Sequence, residues 1–169
     1  MTKTSLAASY FLISASEKSA ARFVELGMVP LVLEALVDSD KAMSEKALAV
    51  FDAICSCEIG REAAYGHALA VPVLVKKMFR VSDAATEFMV SGLWKLCKNY
   101  KGEEGRGVLV EAMQVGAFQK VLLLLQVGCS GAAKEKATEL LKLMNGSKEK
   151  FECIDVMDFK GLKRAFLIH

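Results

Sequence analysis

The sequence has 169 residues, of which 53% are hydrophobic, and its two prolines and 8% aromatic content favour helices over strands. This length indicates one domain with enough apolar residues for a packed core. The formal net charge of +2 is too small to indicate a nucleic acid or a membrane surface as the partner, and the weakly polar run at residues 5–16 is too short to span a bilayer.

The first part of the chain predicts four helices separated by capping and terminating residues. Gly27 suits the left-handed position after a helix, and Pro30 suits the first turn of the next one, where its missing N–H has no partner to lose. Residues 38–40 supply a break and an N-cap for a longer helix. The predicted helices are residues 2–15, 17–26, 29–37 and 41–55.

The same pattern continues to the end of the helical region. Ser82 is the predicted N-cap of a long helix. The glycine-rich stretch KGEEGRG, residues 101–107, is a predicted surface loop, and Asn145-Gly146 is predicted to end the last helix. The further predicted helices are residues 60–68, 72–80, 83–99, 108–115, 118–126 and 132–144.

An internal repeat organises these helices. Pro72 lies 42 positions after Pro30, and at that offset residues 6–93 keep their apolar character in most pairs. A third copy follows at 47 positions, where Gly60 meets Gly107. An all-helical period of about 40 to 47 residues is typical of armadillo or HEAT solenoids.

The predicted fold is therefore an all-α, right-handed armadillo-repeat solenoid of about three repeats, preceded by a partial repeat and followed by a tail that caps the open end of the stack. We assign residues 1–147 to the solenoid and 148–169 to the capping tail. The partial repeat is 1–16, and the full repeats are about 17–57, 58–99 and 105–146. The exposed apolar face of the first helix also predicts self-association of this chain.

The helix over residues 87–99 carries the single tryptophan. Its apolar stripe contains Met89, Leu93 and Leu96 at helical spacing, so it faces the core. Trp94 lies on the other face, where it is either an anchor for a partner or a ring packed between neighbouring helices.

In a three-helix repeat the long third helices stack side by side, so residues at matching positions form rows along one groove. Trp94 supplies an apolar anchor there, and Lys95 and Lys98 supply charge suited to a peptide with acidic groups. The alternative for the two lysines is that they are solvated residues at a helix end. The predicted protein-binding groove contains Tyr10, Ser14, Asp52, Ser56, Glu87, Ser91, Trp94, Lys95 and Lys98.

The residue pattern predicts no catalytic site, metal or cofactor. His67 and His169 are far apart in the sequence, and Cys55-Ser56-Cys57 lacks the spacing of a zinc motif. No set of acid, base and nucleophile can be assembled. Five cysteines, an odd number and mostly within helical patterns, fit reduced thiols in a cytoplasmic or nuclear protein.

Several stretches resemble the C-terminal armadillo region of plant U-box ubiquitin ligases. They are GMVPLVLEALVDSDKAMSEKALAVFDAIC, SGLWKLCKN, AAKEKATELLKLMN and the tail CIDVMDFKGLKRAF. The resemblance implies a module that recruits protein substrates or regulators, in immune, stress or hormone signalling. It also implies a parent ubiquitin transferase whose U-box, outside these 169 residues, docks the ubiquitin-conjugating enzyme. The alternative is an adaptor or transport-type scaffold without ligase activity.

The sequence departs from one armadillo pattern. Armadillo proteins that clamp extended peptides, such as importin alpha, carry an asparagine one turn after the groove tryptophan. The corresponding positions here hold Ser14, Ser56 and Lys98, so we expect a side-chain-specific or whole-surface mode of binding.

Overall fold

The computed structural model describes residues 2–98 and 102–151, with the side chains of 2–98 and 107–147. Within these ranges the chain forms ten α-helices and no strand, which confirms the predicted all-α class. The helices are α1 (Lys3–Ala15), α2 (Glu17–Glu25), α3 (Met28–Asp38), α4 (Lys41–Ile54), α5 (Glu58–Tyr65), α6 (Ala70–Lys77), α7 (Asp83–Lys98), α8 (Gly102–Gln114), α9 (Ala117–Val127) and α10 (Gly131–Phe151).

The helices are arranged in three-helix layers. Helices α2 to α4, α5 to α7 and α8 to α10 form successive layers, and α1 precedes them. The last helix of each layer packs against that of the next, so that α1 lies on α4, α4 on α7 and α7 on α10. This row of helices forms one continuous side of the described molecule.

The core follows the predicted repeat. Leu6 and Leu48 are equivalent at the 42-residue offset and both are buried, as are Ile54 and Leu96. Outside the core, Phe11 and Leu12 of α1 are 73% and 55% exposed; self-association through this helix stays a prediction.

Among the described residues no single helix has the length and apolar composition needed to cross a membrane, although Gly107–Gln114 and Ala117–Val127 meet both criteria together across a 69° bend.

Two kinds of cap set the helix boundaries. Gly27 precedes α3 with φ +79°, and Gly116 precedes α9 with φ +87°, a backbone region that side chains disfavour. Asp40 accepts the Met43 N–H at 2.7 Å at the start of α4. Ser82 accepts the Ala85 N–H at 3.0 Å at the start of α7, as predicted.

The loop predicted at residues 101–107 is wrong for residues 102–107, because α8 begins at Gly102. A glycine inside a helix costs only about 1 kcal/mol. The buried Val108, Leu109 and Ala112 fix the following turns, and a helix already nucleated extends easily past such a penalty. The extra residues of the third repeat therefore lengthen its first helix to 13 residues, compared with 8 in α5.

The helix end predicted at Asn145-Gly146 is also wrong, since α10 continues to Phe151. Gly146 is not among the glycines with positive φ, so it does not form the left-handed cap on which the prediction depended. The Ser147 hydroxyl donates to the Leu143 carbonyl at 3.0 Å within the same helix. Of the predicted capping tail, residues 148–151 belong to α10 and residues 152–169 lie outside the described residues.

Candidate protein-binding face

Four of the nine predicted groove residues line one cleft. Tyr10 and Ser14 of α1 and Asp52 of α4 contribute to it, with Ser56 just after α4. The cleft has a volume of about 370 Å³ and is closed on one side by the start of α2. The spacing of the repeat thus brings these side chains together across two layers.

Lys95 of α7 is bound to this cleft rather than solvated. Its ammonium lies 2.7 Å from Asp52 Oδ1, 2.7 Å from the Asp52 carbonyl and 3.0 Å from Ser56 Oγ. The Lys95 and Asp52 side chains are only 15% and 17% exposed, so water screens this pair less than a surface ion pair. The pair fixes α4 against α7 and orients the carboxylate that lines the cleft.

Trp94 occupies a second cluster, formed with α10. Its Nε1 donates to Glu139 Oε2 at 2.5 Å, and the Lys98 ammonium lies 4.5 Å from the ring centroid and 3.2 Å from Glu139 Oε1. Lys136 lies over the ring at 5.7 Å. The ring is therefore both packed against a neighbouring helix and partly exposed, with cations at its face.

The sequence reasoning missed Glu139 and Lys136. Glu139 lies 45 positions after Trp94, whereas the third copy had been aligned at 47 from glycine and alanine matches in its first two helices. The third helices also match at 47, where the buried Leu93 meets the buried Leu140, so Trp94 bonds a residue two positions from its repeat equivalent and only the structure shows this contact.

Glu87 and Ser91 hold α7 to the last layer and contribute less to an open groove. The Ser130 N–H donates to Glu87 Oε1 at 3.2 Å. The Lys136 ammonium donates to Ser91 Oγ at 2.7 Å, and Ser91 is buried. These two residues therefore position the Trp94 cluster from one and two turns away on the same helix.

Two of the three positions equivalent to a clamping asparagine are bonded within the chain. Ser56 accepts from Lys95, and Lys98 donates to Glu139. Recognition of partner side chains, rather than of an extended peptide backbone, stays a prediction.

The Trp94 cluster predicts a pH-dependent fluorescence signal. The hydrogen bond from Trp94, then that from Lys98, holds the pKa of Glu139 below its ordinary 4.5. A lowered folded-state pKa means that the interaction is complete above 4.5 and is lost as pH falls through the lower value. Since the chain has one tryptophan, its emission should change with a midpoint below pH 4.5, measured by titration at constant ionic strength.

Two variants distinguish this change in Trp94 emission from a change caused by general acid unfolding. Glu139→Gln should abolish the emission step, whereas Glu135→Gln, one turn earlier on the exposed side of α10, should retain it. Circular dichroism recorded on the same samples should show an intact helix signal across the step. A step that survives in Glu139→Gln would contradict the assignment.

Comparison with known proteins gives one family over nearly the whole chain. Residues 1–164 match the family described as the plant U-box protein ARM repeat region. The chain is 46% identical over 168 residues to U-box domain-containing protein 21 of Arabidopsis thaliana, covering 98% of this chain and 38% of that protein. It is 38% identical over 167 residues to U-box domain-containing protein 20 of the same plant, covering 96% and 37%.

A third relative carries an activity in its name. The chain is 37% identical over 124 residues to the E3 ubiquitin-protein ligase PUB23 of Arabidopsis thaliana, covering 71% of this chain and 29% of that protein. The chain thus spans less than two fifths of the length of the curated relatives it matches.

Proposed function

Because this chain belongs to the ARM repeat region of plant U-box proteins, we propose that it is a protein-interaction module that recruits substrates or regulators for a U-box ubiquitin ligase. The conjugating enzyme would bind a U-box outside these 169 residues. Family membership favours this role over an adaptor without ligase activity. The resemblance supports a place in immune, stress or hormone signalling, and thiols such as those of the buried Cys55 and Cys97 suit the cytoplasm or nucleus.

One observation carries the proposal. The row of helices α1, α4, α7 and α10 presents a cleft at Asp52 and a partly exposed tryptophan flanked by cations on the same continuous side. Tryptophan in such a setting is a typical anchor of protein interfaces. The internal bonds of Lys95 and Glu139 hold both features in place before a partner arrives, which reduces the ordering cost of binding.

We expect Trp94→Ala with Lys98→Glu, placed in the full-length protein, to weaken partner binding at least about tenfold, or ~1.4 kcal/mol. The reason is loss of the aromatic anchor together with reversal of the charge beside it. Partners captured from plant extract by the wild-type protein are identified, purified and titrated against each variant by calorimetry. Transfer of ubiquitin to such a partner should fall in parallel, while self-ubiquitination by the full-length protein stays unchanged.

The control changes the same kinds of residue away from this face. Leu31→Ala on α3, where the side chain is 53% exposed, with Lys18→Glu on α2 should leave both binding and transfer unchanged. If deletion of this whole region from the full-length protein leaves ubiquitination of the partner unchanged, the recruitment role is wrong.

A further inference from the structure

A second cleft lies at the opposite end of α4 from Asp52. It has a volume of about 430 Å³ and lies between the end of α3, the start of α4, and α6 with the turn that follows it. Ser44 in this cleft precedes Asp52 by eight residues, which is about 12 Å along the helix axis at 1.5 Å per residue. The two clefts are therefore separate surfaces.

Four cations line this cleft and are not neutralised there. They are Lys41, Lys76, Lys77 and Arg80. None of them forms an ion pair with a described residue, whereas Lys3, Arg22, Lys95 and Lys98 all do.

The nearby carboxylates are mostly committed elsewhere. Asp40 pairs with Lys3 and caps the Met43 N–H, and Glu45 accepts from the Ser82 hydroxyl. Asp38 acts on Lys77 at longer range without an ion pair. The cleft therefore carries an excess of positive charge in a chain whose total charge is only +2.

The floor of the cleft combines a cation with hydroxyl groups. The Lys77 ammonium donates to Ser44 Oγ at 3.1 Å, and the hydroxyls of Ser39 and the buried Ser44 lie 2.7 Å apart. Burial lowers the pKa of Lys77, with Asp38 opposing that effect and Lys76 adding to it. A bound anion would therefore stabilise the charged form of this ammonium.

The walls of the cleft are apolar, contributed by Val37, Leu69, Val73 and Val81 together with Pro72. Its lining contains no aromatic ring on which a nucleobase could stack. Three of the four cations are lysines, which act as separate point charges and can therefore meet several carboxylates spaced along a peptide.

We propose that this cleft binds a segment of a protein partner in which aspartates or glutamates flank an aliphatic side chain. The aliphatic group enters between the valine and leucine walls, and the flanking carboxylates meet Lys41, Lys76 and Arg80 at the rim. This surface does not depend on the recruitment face of α1, α4, α7 and α10.

The probe is a fluorescein-labelled nonapeptide, Asp-Asp-Glu-Leu-Val-Glu-Asp-Asp-Gly, titrated against the 169-residue chain by fluorescence polarisation. Lys76→Gln with Arg80→Gln should weaken binding at least tenfold. Lys18→Gln with Arg22→Gln removes the same residue types at the same spacing from exposed positions of α2. This control should change the dissociation constant of the peptide less than threefold. Replacing Leu-Val by Ser-Ser in the peptide should also weaken binding.

Further experiments identify the class of ligand and the location of the binding site. A version with the acidic residues changed to Asn and Gln should not bind. Amide shifts on addition of the acidic peptide should include Ser44 and Lys77 and not Tyr10 or Asp52. The proposal is overturned if both double variants weaken binding equally, if the shifts map to the Asp52 cleft, or if only a phosphoserine peptide or an oligonucleotide binds.

Discussion

We expect Gly60→Ala to destabilise the fold by about 3 kcal/mol, at the upper end of the usual cost of overpacking. A Cβ atom at this position would lie 2.1 Å from the Ile54 carbonyl oxygen and 2.7 Å from Ile54 Cγ2. The carbonyl belongs to the last turn of α4 and cannot move without disturbing the short link to α5. Urea unfolding followed by circular dichroism gives the free energy of unfolding from the midpoint and slope.

Gly107→Ala is the matched control, because Gly107 is the repeat equivalent of Gly60. It lies inside α8, and no described atom beyond the backbone of its own helix is within 4 Å of its added Cβ, so we expect no loss, or a gain of up to about 1 kcal/mol from helix propensity. Equal losses in the two variants, or an unchanged midpoint for Gly60→Ala, would contradict the close approach of α5 to the end of α4.

Gly60 and Gly107 show which structural features the sequence predicts and which it does not. The offset of 47 residues pairs buried positions of the second helices, such as Leu74 and Val121, since hydrophobic periodicity follows from the packing that every repeat shares, but it also pairs the buried Gly60 with the exposed Gly107. It could not show that only Gly60 is in close contact. That difference depends on the longer first helix of the third layer, and the same glycines that led us to predict a loop at residues 101–107 are within that helix.

The binding face shows the same limit at the level of single side chains. The 42-residue offset pairs Asp52 with Trp94, but the ion pair is made 43 positions on, by Lys95. One residue along a helix corresponds to about 100° of rotation, so a small difference in packing between layers changes which side chain faces the neighbour. The row of helices was predictable, whereas the bonding partners within it required the structure.

We expect Phe51→Ala to destabilise the fold by about 4 kcal/mol, as for other buried phenylalanines. Phe51 is fully buried in α4, and its ring faces Gly92 of α7, where an added Cβ atom would be 3.6 Å from Phe51 Cδ1 and 3.9 Å from Leu74 Cδ1 of α6. Truncation therefore leaves a cavity between two layers. Phe11→Ala, where the ring is 73% exposed, should change the free energy of unfolding by less than about 0.5 kcal/mol.

The location of this ring also predicts how the molecule unfolds. Solenoid stability is a sum of layer terms and nearest-neighbour interfaces, and Phe51 belongs to an interface. Trp94 reports on the next layer, so its fluorescence midpoint in Phe51→Ala should fall together with the helix signal. If the helix signal shifts while the Trp94 midpoint stays at the wild-type value, the layers unfold independently. The recruitment face, which spans four helices, would then not be held as one surface.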